Sequence, residues 1–128
     1  MLNEQFFYIE NIDADTNKDS LIVEIVLNPL HEIFQGHFPE NPIVPGVCFI
    51  QMITEIFSAF IKKDLRLIKS NSIKYQHFVD PRLNSKLYFE IKYNSIDKIH
   101  YGVICRIYFE QINFCNFKGE FEDVCKYN

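Results

Sequence analysis

At 128 residues, 48% hydrophobic and 16% aromatic, the chain has the length of one ordinary domain (residues 1–128) and enough apolar material to build a core, which excludes a largely disordered segment. No apolar run reaches about 18 residues, so no membrane-spanning helix is expected. The start, MLNEQFFYIENIDAD, lacks the basic residues and apolar block of a secretory signal, and the cytoplasm is the expected compartment. The net charge of −4 hides an uneven distribution: residues 1–61 carry nine acidic residues and one basic residue, whereas residues 62–86 carry seven basic and two acidic ones.

The first clear element in chain order is SLIVEIVLN, Ser20 to Asn28, whose β-branched residues suit a strand with Leu21, Val23, Ile25 and Leu27 on one face and Pro29 closing it. A constrained loop, IFQGHFPENPIVPGV, follows with three prolines and two glycines. From Val47 to about Lys62 the chain has no Pro or Gly, and its apolar residues occupy nearly the whole circumference, which predicts a buried helix of about four turns. Pro45 and Gly46 stand at its start, where a fixed φ is tolerated. The rest reads as strands. SNSIKYQHFVD runs to Pro81; SKLYFEIKYN places Leu87, Phe89, Ile91 and Tyr93 on one face; IHYGVICRIYFEQ places Tyr101, Val103, Cys105, Ile107 and Phe109 together; INFCNFKGEFEDV closes the series. Turns are expected around Asn94–Lys98 and Gln111. One apolar helix with several strands to cover it predicts an α+β fold, an antiparallel sheet wrapped around a central helix.

Cys48, Cys105, Cys115 and Cys125 show no metal-ligand spacing and read as packed, reduced thiols. No phosphate-cradling glycine loop is present, so neither metal nor cofactor is implied. The basic residues of 62–86 form no stripe with aromatics, so nucleic acid is not an expected partner; the segment is either a solvated face or a surface that steers an acidic protein. His31, His77 and His100 have no evident partner in the sequence and read as incidental.

Within HEIFQGHFPENPIVPGVCFIQMI, Gly36, His37, Phe38, Pro39, Pro42, Pro45, Gly46 and Val47 fill eight of twelve consecutive positions of a pattern that resembles the hotdog-fold β-hydroxyacyl-(acyl carrier protein) dehydratases of fatty-acid synthesis. A weaker likeness follows at IKYQHFVDP. The resemblance implies a hotdog fold and dehydration of a (3R)-hydroxyacyl thioester on acyl carrier protein to the trans-2-enoyl form. It implies His37 as catalytic base, the backbone at Gly46 and Val47 as the carbonyl-binding helix start, and Phe38 and Phe78 along the acyl tunnel. It also implies a homodimer or higher oligomer whose active sites combine the histidine of one protomer with the acid of another.

The chemistry agrees with these assignments. A neutral imidazole suits removal of the C2 proton near neutral pH, and unpaired amides at a helix N-terminus suit the negative charge that develops on a thioester carbonyl. The chain departs from the family at one point: the helical position that carries the acid is Gln51, and Glu55 lies one turn later, where relatives often carry Gln. An amide can orient a hydroxyl but has no acidic proton to give. Three readings therefore stay open. The first is an active dehydratase in which Gln51 orients the hydroxyl or Glu55 supplies the acid. The second is a catalytically weak acyl-binding homologue or one subunit of a heterodimer. The third is an acyl thioesterase. In the family context Lys62, Lys63, Arg66, Lys69, Lys74 and Arg82 are the candidates to steer an acidic carrier protein.

Overall fold

The computed structural model describes residues 5–36 and 42–124. Six strands form one antiparallel sheet: β1 (Phe7–Asp15), β2 (Ser20–Leu27), β3 (Leu65–Tyr75), β4 (Lys86–Ser95), β5 (His100–Phe109) and β6 (Ile112–Asp123), in spatial order β1-β2-β4-β5-β6-β3. Helix α2 (Gly46–Ile61) packs in the hollow of this sheet, and a five-residue helix α1 (Glu32–Gly36) precedes it. This is the hotdog architecture expected from the sequence.

Alternation sets the inner face of the sheet. Leu21, Val23 and Ile25 of β2 pair in register with Ile91, Phe89 and Leu87 of β4, and on β5 Cys105 and Ile107 continue the same rows. All of these side chains are essentially fully buried. Cys105 then faces Phe117 of β6, and Tyr101 faces Phe121. The helix fills the hollow with Phe49, Met52, Ile53, Ile56 and Phe57. Phe57 lies at the centre of an aromatic cluster, 5.3 Å from Tyr93, 5.9 Å from Tyr101 and 6.3 Å from Phe121 between ring centroids.

Several local features differ from the sequence reading. Residues 7–15, to which the sequence reading assigned no element, form a strand paired along its length with β2 and interrupted by a bulge between Ile9 and Asn11. The strand predicted from Ser70 to Asp80 begins at Leu65 and ends at Tyr75, and 76–80 leave the sheet. Part of the proline-rich segment is helical. At α1 the Ile33 N–H donates to His31 Nδ1 at 3.1 Å, while Phe6 meets the His31 ring edge-on and stacks on Phe34 at 5.1 Å. His31 is thus a packed, bonded side chain rather than an incidental one.

Helix α2 is central, yet one stripe of it is open. Val47, Gln51 and Ala59 are exposed, with Thr54 and Ser58 partly so, following the i, i+4, i+7, i+11 spacing of one helix face. Small and polar residues occupy much of this stripe, which the sheet does not cover. The helix ends where Lys62 adopts a left-handed conformation (φ 59°) and the N–H groups of Lys62 and Lys63 close onto the Ser58 carbonyl. Among the described residues, no helix is long and apolar enough to cross a membrane.

At its other end α2 is tied to β3 by one close approach. Tyr75 stacks on Phe49 (centroids 6.4 Å apart, planes 28°) and its ring crosses the first helical turn. A Cβ built on Gly46 would lie 2.6 Å from the Tyr75 ring and 2.7 Å from its hydroxyl oxygen. Gly46 is therefore required by the neighbour's position, not by its own φ. Gly46→Ala is expected to lower unfolding free energy by about 1–3 kcal/mol, the usual range for overpacking, and to be close to neutral in a Tyr75→Ala background. Urea unfolding of the four proteins of that cycle measures the coupling; equal effects of Gly46→Ala in both backgrounds would show that Tyr75 does not dictate the glycine.

Candidate active site

Among the described residues, no side chain caps the start of α2. Pro45 is the N-cap, extended at φ −61° and ψ 140°, with no side-chain cap. The Cys48 N–H closes onto the Pro45 carbonyl at 2.9 Å, so the Gly46 and Val47 amides ahead of it have no intrahelical acceptor. Upstream, the Val44 N–H donates to the Val79 carbonyl at 2.9 Å, which pins the approach segment to the chain after β3. Buried Pro42 and Val44 add to that anchor.

A cavity of about 350 Å³ opens at this helix start, lined by Gly46, Phe49, Tyr75, His77 and Phe78 among others. Its walls are mainly apolar, and Phe78 is 81% exposed at its mouth. Burial and the neighbouring Cys115 raise the Tyr75 hydroxyl above the usual phenol range, so it remains a neutral hydrogen-bonding group at physiological pH. Tyr75, which the sequence reading did not name, and His77, which it set aside as incidental, both lie on this cavity. The glycine of Pro-Gly-Val needs a close neighbour, but nothing in the sequence says which residue supplies it. His37 and Phe38 lie outside the described residues.

Gln51 and Glu55 lie elsewhere. Together with Thr54 and Ser58 they line an open cleft of about 580 Å³ along the uncovered stripe of α2, running toward Lys62, Lys63, Asp64 and Asp123. Gln51 Nε2 donates to Glu55 Oε2 at 2.8 Å. Glu55 is only 8% exposed and is the one charged residue among the described residues that is buried. The cleft and the cavity share no lining residue, because Phe49 and Gln51 project about 200° apart around the helix.

The six basic candidates divide into two sets. Arg66 forms a two-pronged contact with Glu122 at 2.8 and 3.1 Å, Lys63 lies 4.0 Å from Asp123, and Arg82 pairs with Asp80 at 3.0 Å. The Arg82 guanidinium holds the Asp80 carboxyl below the usual carboxylate range. Lys62, Lys69 and Lys74 are exposed and make no ion pair among the described residues. His100 has partners that sequence reading did not find: its Nδ1 lies 2.8 Å from Asp97 and its Nε2 3.7 Å from Glu122. Cys48, Cys105 and Cys115 are buried free thiols, and Cys115 is pushed up to about 11 by burial, so none is a ready nucleophile. Cys125 lies outside the described residues. Among the described residues no cluster of His, Cys, Asp and Glu could hold a metal ion.

The profile of the ApeI-like family, described as ApeI dehydratase, matches residues 13–118. The 3-hydroxyacyl-(acyl-carrier-protein) dehydratase FabZ of Enterococcus faecalis is 33% identical over 91 residues, covering 66% of this chain and 63% of that protein. The FabZ of Thermotoga neapolitana is 34% identical over 91 residues, covering 68% of this chain and 64% of its own length. The match thus spans just under two thirds of these relatives. Among solved structures, the dehydratase heterocomplex ApeI:P from Xenorhabdus doucetiae superposes with a TM-score of 0.74 at 18% identity, covering 89% of this chain and 96% of that one. A hypothetical thioesterase with coenzyme A from Streptococcus pneumoniae superposes at 0.64 and 12% identity, over 92% of this chain and 85% of that one, which shows how widely the fold is shared. The profile match over most of the chain, on a hotdog fold with the Pro-Gly-Val helix start, makes this chain a member of the ApeI-like dehydratase family.

Proposed function

We propose that the chain dehydrates a (3R)-hydroxyacyl thioester, presented by an acyl carrier protein, to the trans-2-enoyl form, in an assembly of at least two protomers. The observation that supports this most is the separation of the two faces of α2. The apolar cavity at the helix start and the cleft holding Gln51 and Glu55 share no residue, so a ligand that uses both takes them from two copies. A two-fold pairing along the open stripe of α2 and the edge strand β3 would bring one copy's Gln51 toward the other's helix start.

In this reading the thioester carbonyl accepts hydrogen bonds from the Gly46 and Val47 amides, where the positive end of the helix dipole favours the charge that develops on oxygen. His37 takes the C2 proton. The C2 electron pair forms the C2–C3 double bond, the C3–O bond breaks, and the imidazolium returns its proton to the departing oxygen, which leaves as water. Gln51 holds the hydroxyl, and the apolar cavity takes the acyl chain beside Phe78, with Phe38 on its side of the tunnel. Exposed Lys62, Lys69 and Lys74 attract the acidic carrier, while Lys63, Arg66 and Arg82 are already engaged with acidic partners of this chain.

A second reading has a specific observation in its favour: the acid position is Gln51, and one structure sharing this fold is of the dehydratase heterocomplex ApeI:P. In that case this chain contributes its histidine to a site whose acid belongs to a different subunit, and alone it is slow.

Purified protein given a 3-hydroxyacyl-carrier substrate is expected to form the enoyl product, followed by absorbance of the conjugated thioester. His37→Ala should lower the rate by about 10²–10⁴, the usual contribution of a general base. A wild-type rate equal to that of His37→Ala would reject the enzyme reading, and release of free thiol would assign the protein to thioester hydrolysis instead. The paired exchange Gln51→Glu with Glu55→Gln restores an acid at the family position without setting two carboxylates side by side. It should accelerate the lone chain if the missing acid limits it; an unchanged rate would show that Gln51 suffices. Charge reversal at Lys62, Lys69 and Lys74 together should weaken carrier binding at low salt, with the deficit shrinking as ionic strength rises; a salt-independent result would remove the steering role.

A further inference from the structure

The hydrogen bond between Gln51 and Glu55 fixes which way round the Gln51 carboxamide stands. The amide turns its nitrogen to the Glu55 carboxyl group, in the 2.8 Å contact from Nε2 to Oε2. The two residues are four apart on one helix face, the spacing at which side chains meet. Glu55 is buried and so is not free to swing away, whereas Gln51 is exposed on the wall of the cleft. The carboxamide is planar, with its oxygen on the arm opposite the bonded N–H. With one N–H committed, the carbonyl oxygen on the other arm is the acceptor the amide presents to a ligand, with the second N–H beside it.

We infer that Glu55 is a positioning residue: it locks Gln51 with its carbonyl oxygen toward the cleft, so that Gln51 acts as a hydrogen-bond acceptor and selects acyl ligands that carry a hydroxyl proton over those that do not. The chemical class of the ligand rests on the dehydratase reading given above; the orientation of the amide rests on the helix alone. The acceptor role also has a chemical consequence. A hydroxyl that donates to Gln51 keeps its lone pairs directed elsewhere, available for the proton it needs in order to leave.

Two measurements on the full chain, in the assembly in which it purifies, test this separately. The first needs no ligand. In a ¹⁵N–¹H correlation spectrum the Gln51 side-chain amide protons should show the inequivalence of a charge-assisted bond, assigned by their disappearance in Gln51→Leu. Glu55→Gln should collapse that signature while backbone resonances away from α2 stay in place. A Gln51 amide signal unmoved by Glu55→Gln would overturn the inference.

The second measurement compares binding of 3-hydroxybutyryl-pantetheine and butyryl-pantetheine by calorimetry. The wild type should prefer the hydroxylated ligand by about three- to tenfold, the value of one net hydrogen bond. Gln51→Leu should lose the preference, and Glu55→Gln should lose it too, because an amide pair can stand either way round. A preference that survives Glu55→Gln but not Gln51→Leu would leave Gln51 as the contact and remove Glu55 as its positioner. If the wild type binds neither probe while the spectral signature responds to Glu55→Gln, the dehydratase reading and the proposed ligand selection both fail, and the locked amide alone stands.

Discussion

The structure depends on how α2 is divided around its circumference. A single helix in the hollow of a sheet can bury only the part of its surface that the sheet reaches, and here Phe49, Met52, Ile53, Ile56 and Phe57 occupy that part. At 100° per residue, burying those positions directs Val47, Gln51, Thr54 and Ser58 the other way. The same rotation sets the helix start against Tyr75 and aims it at the apolar cavity. Core packing therefore decides where the cavity and the cleft lie and keeps them apart within one chain. A substitution that rolled the helix by a few tens of degrees would cost aromatic contacts around Phe57 as well as misplace Gln51.

The close approach of Tyr75 to Gly46 extends this logic to the edge of the sheet. β3 is the edge strand beside β6, and its register is broken by bulges between Leu67 and Lys69 and between Ser70 and Ser72. Past these bulges the half-exposed Tyr75 ring lies over the helix start, while Lys69 and Lys74 remain in solvent. Polar residues and bulges also suit an edge whose unpaired backbone would otherwise invite indiscriminate pairing. One irregular strand thus places an aromatic wall on the cavity and leaves cations outside it.

What was legible in the sequence follows from the same physics. β2, β4 and β5 alternate cleanly because one face of each is buried against α2, so Leu21, Phe89 and Ile107 announce themselves by period two. β1 carries Glu10, Asn11, Asp13 and Asp15 in an exposed edge strand, and without a buried face there is no period to read. The first half of β3 fails to show for the same reason: Arg66, Lys69 and Ser70 are exposed and its bulges disturb whatever alternation remains. Helix spacing made the meeting of Gln51 and Glu55 foreseeable. The contact of Tyr75 with Gly46 was not foreseeable, since it joins residues 29 apart whose only sequence signal is the glycine itself.

Gln51 and Glu55 also show how little a sequence exchange has to change in shape to change the chemistry. An acid one turn ahead of an amide places the titratable group outermost and lets the amide hold it. With the order reversed, the carboxyl group is the buried member of the pair, the amide is the exposed one, and the exposed group has no proton to give. The helix pays for this with a buried carboxylate, which needs its hydrogen bond to offset desolvation. Removing the Gln51 amide would take one hydrogen bond from the buried Glu55, whereas changing Glu55 to an amide leaves the exposed Gln51 open to solvent. Gln51 is the exposed member of the pair and Glu55 the buried one, so the hydrogen bond between them couples the orientation of a carboxamide on the cleft wall to a side chain held against the core.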